Sequence, residues 1–196
     1  MEIKILVGTK DSNKLEALKS YLDSNKKIYI LGPSSEIAQV KSVQKENIIC
    51  KEIASGCICC TMKMDLIKAL LELETADIVF ILSSGITADL EELKSIRGYI
   101  STVEEITSIL CINEMKFSSY LKIFGNQFRK QILDADEIYL NGVNEQCQEE
   151  LKKINPSCKI KKNNKYTKIR LRNNKFIKKS WERYNFVLKW NSFIKG

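Results

Sequence analysis

The sequence predicts an α/β fold built on a mostly parallel sheet with helices on both faces. Two patterns carry that expectation. Short β-branched runs alternate with stretches whose apolar residues recur at helical spacing, and such alternation calls for crossover connections rather than hairpins. The chain of 196 residues, 44% hydrophobic and 29% charged, is also long enough to bury one core and too apolar for wholesale disorder.

The expected strands are residues 3–7, 28–31, 48–53, 78–82, 106–112 and 137–140. Between them, residues 13–22 place Leu15, Leu18 and Leu22 on one helical face. Residues 65–73 do the same with Leu66, Ala69, Leu70 and Leu73, and 117–133 and 145–154 also read as helices. In sheets of this kind ligands bind at the carboxyl ends of the strands. Beyond Pro156 the texture changes. Residues 166–172 and 184–190 look like strands with basic residues on one side, separated by Asn173-Asn174 and a Lys-rich stretch. The expected division is a domain over 1–158 and a basic appendage over 159–196, antiparallel or partly ordered.

Charge follows the same division. The net charge is +8, yet residues 159–196 hold 13 Lys or Arg against the single acid Glu182, leaving the preceding domain at −4. Tyr166, Phe176, Trp181, Tyr184, Phe186 and Trp190 are interleaved with these cations, a texture compatible with nucleic acid. A solvated basic sheet face, or an acidic partner, accounts for it equally well, so nucleic-acid binding is not expected. No apolar run approaches the roughly 20 residues that span a bilayer. The opening MEIKILVGTKD is too short for a signal-peptide core, so a cytoplasmic chain with no membrane attachment is expected.

Histidine is absent, which removes His-based acid–base chemistry and leaves thiolate, carboxylate, backbone or water as metal ligands. Seven cysteines are present, and three fall within Ser55-Gly56-Cys57-Ile58-Cys59-Cys60. In a reducing compartment this cluster reads as a site for a soft metal ion or as a redox element. It follows an expected strand and precedes an expected helix, whose amino terminus favours the thiolate. Cys57, Cys59 and Cys60 are the candidate ligands. Zinc takes four, so the fourth is open among Cys50, Cys111, Glu36, water or a second subunit, which admits a homodimer. The redox reading has only Cys57 and Cys60 at Cys-x-x-Cys spacing. Cys50, Cys111, Cys147 and Cys158 read as buried core residues.

The string GCICCTMKMDL closely resembles the GCICCT-x-x-x-DL motif of the CobW-type GTPases, relatives of HypB and UreG. The resemblance covers about residues 1–158 and implies a three-layer P-loop NTPase-like domain. It also implies zinc or cobalt as the metal, and a metalloprotein client or cofactor-pathway enzyme as partner in a metallochaperone-type role. The family's phosphate loop is G-x-x-x-x-G-K-[ST]. Here it reads Gly8-Thr9-Lys10-Asp11-Ser12-Asn13-Lys14-Leu15, keeping Gly8 and Lys14 but replacing the second glycine and the magnesium-binding hydroxyl. The family's Glu-x-Ser-Gly element reads Leu82-Ser83-Ser84-Gly85, so Ser84 and Gly85 remain without the carboxylate. Its Asn-Lys-x-Asp element reads Asn141-Gly142-Val143-Asn144, so Asn141 remains without the base-reading aspartate. Apart from the resemblance, residues 8–15 read as a strand–turn–helix with an exposed lysine.

These losses touch phosphate, metal and base together. The leading expectation is a metal-binding pseudo-GTPase in which GTP or GDP is no working cofactor. The alternatives are a GTPase with relaxed motifs that uses Lys14 for phosphate, and an interaction protein whose cysteine cluster is structural.

Overall fold

The computed structural model describes residues 1–53, 63–73, 75–85, 88–142 and 144–162. Among them seven strands form one sheet: β1 (Glu2–Gly8), β2 (Ile28–Gly32), β3 (Ile48–Glu52), β4 (Ile78–Ser84), β5 (Glu105–Asn113), β6 (Glu137–Asn141) and β7 (Lys159–Lys162). Their order is β3-β2-β4-β1-β5-β6-β7, and every neighbouring pair is parallel. The helices are α1 (Lys14–Lys19), α2 (Ser34–Val40), α3 (Lys63–Leu71), α4 (Leu90–Lys94), α5 (Phe117–Asp134) and α6 (Glu145–Ile154).

Alternation along the strands decides which helix covers which face. Ile3, Ile5 and Val7 of β1 join Val79 and Ile81 of β4 in one core, filled by Leu66 and Leu70 of α3, Leu90 and Leu93 of α4, Phe128 and Ile132 of α5 and Leu151 of α6. Leu6, Phe80 and Leu82 point the other way, onto Ala17 and Leu18 of α1 and Ile37 and Val40 of α2. The change of face follows from handedness. From β1 the chain moves outward to β2 and β3, then reverses into β4, and right-handed crossovers must put the helices of the two directions on opposite sides. The result is three layers, with the reversal beside the carboxyl end of β1.

The expected strands and helices are found with ends shifted by a few residues. The first helix stops at Lys19, three residues early, and α5 contains a non-helical Gly125 (φ 48°). The helices α2 and α4 were not expected; each is too short to show a helical period. Nor was β7, whose Lys159–Lys162 pairs in parallel with β6. Lys161 Nζ lies 2.9 Å from a Glu137 carboxylate oxygen and 4.0 Å from the centre of the Tyr21 ring, which ties this edge strand to its neighbour. The first four residues assigned to the appendage therefore belong to the parallel sheet. The strands expected at 166–172 and 184–190 lie outside the described residues.

Candidate functional site

Four of the residues singled out in the sequence meet at the carboxyl ends of β1 and β4. Gly8 ends β1 and is paired in register with Ser84 of β4. The Gly85 N–H donates to the Gly8 carbonyl at 3.2 Å. A Cβ on Gly8, where φ is +156°, would stand 2.5 Å from Ser12 Oγ and 2.6 Å from the Cys111 carbonyl oxygen, so the close packing of the loop onto β5 needs glycine. The loop then turns through Asn13 in the left-handed region (φ 61°, ψ 48°) directly into α1. Asparagine is among the few side-chain-bearing residues that tolerate this conformation. At the position of the family's second glycine it gives the loop a left-handed turn.

Lys14, the first residue of α1, is not exposed: its side chain is 2% accessible. Its Nζ donates to the Gly8 carbonyl at 2.8 Å and the Ser83 carbonyl at 3.1 Å, and it pairs with Glu36 Oε2 at 2.7 Å. An ammonium has three N–H donors, and all three are directed at protein acceptors. Glu36 comes from the first turn of α2 and is 4% accessible on its side chain. The expectation of a solvent-facing lysine is therefore corrected. Desolvating the amine is offset by a carboxylate and two carbonyls rather than by water.

The rest of the loop is fastened by side chains. Tyr120 of α5 donates its hydroxyl to Asp11 at 2.7 Å, Lys116 Nζ lies 2.8 Å from Asp11 Oδ2, and Thr9 also donates to Asp11. Burial acts to raise the Asp11 carboxyl, but Lys116, Thr9 and Tyr120 together outweigh it and hold the group well below the usual carboxylate range. Ser12 Oγ donates back to the Thr9 carbonyl at 2.6 Å.

Asn141 stands two strands away from β1, at the end of β6, in register with Asn113 of β5. Asn113 Nδ2 donates to the Asp11 carbonyl at 3.3 Å, and Asn141 Oδ1 is buried with no hydrogen-bond partner among the described residues. The next residue, Gly142 (φ +143°), lies under Glu114. A Cβ there would clash with the Glu114 side chain, and the Glu114 carboxylate accepts from the Asn144 N–H. Asn144 caps α6 by accepting from the Cys147 N–H at 3.2 Å. At the positions of the family's lysine and aspartate, this chain has a glycine covered by an internal carboxylate and a helix cap.

Cys57, Cys59 and Cys60 lie outside the described residues. Their flanks are placed: the Ile53 N–H donates to the Gly32 carbonyl at 2.9 Å, and α3 begins at Lys63. The described chain before the motif thus ends beside Gly32, two residues ahead of the start of α2, the helix that carries Glu36. Burial pushes the thiols of Cys111 and Cys147 up to about 12, and raises those of Cys50 and Cys158. Burial disfavours the thiolate form at these four positions, and Glu36 is engaged by Lys14. Three thiols in four positions of the sequence offer the soft donor set that zinc or cobalt prefers. Another acidic group, Asp89, Glu91 and Asp134, has oxygens within 4.8 Å of one another. Lys130 is already its cation, at 3.4, 3.0 and 3.3 Å from the three carboxylates.

Reading the sequence alone missed Glu36 as the partner of Lys14, and missed the Asp11–Tyr120–Lys116 fastening and Glu114 over Gly142. Only Pro33-Ser34-Ser35-Glu36 carried a local signal, that of a helix amino terminus.

An all-parallel three-layer sheet with a glycine loop and lysine after its first strand defines a P-loop NTPase-like domain. The CobW/HypB/UreG nucleotide-binding domain matches residues 21–167, and the chain belongs to that family. Among solved structures, the hydrogenase maturation factor HypB from Archaeoglobus fulgidus is 14% identical with a TM-score of 0.61, covering 83% of this chain and 81% of its own. The zinc-bound YjiA GTPase from E. coli is 16% identical with a TM-score of 0.57, covering 82% of this chain. A zinc-bound triple mutant of YjiA is 14% identical with a TM-score of 0.62 and covers 83%. This chain spans 57% of the YjiA chains. None of the curated proteins matches it in sequence. Among the described residues no helix is long and apolar enough to cross a membrane.

Proposed function

We propose that this protein is a metal-binding member of the CobW/HypB/UreG family that does not turn over GTP, and that it serves delivery of the ion to a metalloprotein or cofactor-pathway enzyme. The observation that carries the reading is Lys14. The amine that would meet a phosphate has its three donors committed to Gly8, Ser83 and Glu36. Two further features support it: Leu15 stands where a magnesium-binding hydroxyl would be, and Glu114 covers Gly142 at the base-reading loop.

For the metal, support comes from the thiol set and from zinc bound to two structural neighbours. Cys57, Cys59 and Cys60 would hold zinc or cobalt as thiolates, with a fourth ligand from water, a client or a second subunit. Bound there, the ion supplies a labile thiolate complex rather than a hydrolytic centre. This chain's own part is to anchor the two flanks of the motif, through Ile53, which follows β3 and bonds to Gly32 of β2, and through Lys63 at the start of α3.

Equilibrium dialysis of protein purified without oxygen or chelator tests the reading. About one zinc or cobalt per chain is expected, lost in the Cys57/Cys59/Cys60→Ser variant. Unchanged stoichiometry in that variant sinks the metal assignment. GTP turnover clearly above that of Lys14→Met/Glu36→Leu, which removes the ion pair as a unit, sinks the non-hydrolysing one.

A further inference from the structure

The geometry points to Glu36 as the resident anion of the Lys14 cradle: its carboxylate holds the place of a phosphoryl group, and neutralising it opens the site to phosphate-bearing anions. The inference rests on the reading of the loop as closed to nucleotide and names the side chain that closes it.

Three observations place Glu36 in this role. First, its Oε2 lies 2.7 Å from Lys14 Nζ, the distance a charge-assisted contact to a phosphate oxygen would have. Second, the other two amine donors go to main-chain carbonyls of Gly8 and Ser83, which a ligand cannot displace without unravelling the ends of β1 and β4. The Glu36 contact is the one that a side-chain rotation on α2 can release. Third, the pair is cut off from water, at 2% and 4% side-chain accessibility, so Lys14 without Glu36 is a buried cation lacking a counter-ion. Such a group draws an external anion far more strongly than a surface lysine does.

The turn beside the cradle is fixed without help from Glu36. Asn13 holds the left-handed turn, and Asp11 is tied outward to Tyr120 and Lys116 rather than inward to Lys14. Removing the Glu36 charge therefore leaves a preformed turn, a buried amine and no anion.

The probe is inorganic pyrophosphate, titrated calorimetrically into the full-length protein in wild-type, Glu36→Gln and Lys14→Met/Glu36→Gln forms. The last form keeps the basic residues of 159–196 and so reports pyrophosphate held by surface charge alone. Glu36→Gln should bind at least about tenfold more tightly than wild type. That gain should vanish in the double variant, and pyrophosphate should raise the melting temperature of Glu36→Gln only. Equal affinity in wild type and Glu36→Gln overturns the inference, as does a gain that survives loss of Lys14. Should Glu36→Gln fail to fold by circular dichroism, Glu36→Asp decides. Its carboxylate is one methylene further from Lys14, so it must show a smaller gain of the same sign, and no gain overturns the inference. Metal stoichiometry and GTP turnover of the wild type do not enter these comparisons, so the proposed function and the role of Glu36 fail separately.

Discussion

Replacing Lys14 by methionine separates a lysine built into the fold from one that waits for a ligand. The substitution keeps the length and most of the volume of the side chain but removes the charge. Glu36, with 4% of its side chain accessible, is then a buried carboxylate without a counter-ion, and the Gly8 and Ser83 carbonyls each lose a donor. Breaking one side of a buried pair costs about 3–5 kcal/mol. For a domain of this size each kcal/mol lowers Tm by about 2–4 °C, so a fall of about 6–20 °C is expected. Removing both charges in Lys14→Met/Glu36→Leu should restore at least half of the loss, because no buried charge remains and Gly8 still accepts from the Gly85 N–H. Urea unfolding of metal-free protein, followed by circular dichroism at constant m-value, gives all four corners of the cycle. If Lys14→Met is within about 0.5 kcal/mol of wild type, the cost of an ordinary surface change, the buried-pair reasoning is wrong. If the double variant is no better than the worse single one, the coupling between the two residues is wrong.

Two other substitutions test the frame around the site. Asp11→Asn should cost about 1–2 kcal/mol at neutral pH, since it weakens the contacts to Tyr120 and Lys116. Because the folded Asp11 carboxyl sits below its unfolded value, its contribution is complete above about pH 4 and is lost as pH falls through the folded value. Wild type and Asp11→Asn should thus converge in acid, and a gap that stays constant from pH 7 to pH 2 would contradict the assignment. Asn155 donates to the carbonyls of Ile132, Leu133 and Ala135 at 2.8, 3.1 and 3.0 Å and accepts from the Cys158 N–H, joining the end of α5 to the approach to β7. Asn155→Ala should lose about 3 kcal/mol in urea unfolding, and a neutral result would show that water satisfies those carbonyls instead.

The architecture was legible because it rests on local periodicity. Ile3, Ile5 and Val7 alternate with Lys4 and Leu6, and Leu66, Leu70 and Leu73 repeat at helical spacing, so each segment announces its own type. Elements shorter than two turns, such as α2 and α4, carry no such period. The edge strand β7 reads Lys-Ile-Lys-Lys, where an exposed strand and a charged tail look alike. The ion pair was out of reach for a different reason. Lys14 and Glu36 begin separate helices on either side of β2, and their contact depends on the sheet order, with β4 inserted between β1 and β2. No local pattern encodes that insertion.

The family match begins at residue 21, after β1, the glycine loop and α1, whereas the structural neighbours cover up to 83% of the chain. Backbone shape and ligand chemistry place different demands on that stretch. The shape needs glycine at Gly8, a residue tolerant of the left-handed region at Asn13, and something to neutralise the inward-facing end of α1. All three are met here. Ligand chemistry needs an unengaged amine and a hydroxyl beside it, and Lys14 paired with Glu36 and followed by Leu15 provides neither. A lysine kept in register is therefore weak grounds for phosphate binding until its acceptors are known. On the role proposed for it, Glu36, a residue outside the motif, decides the fate of the phosphate loop.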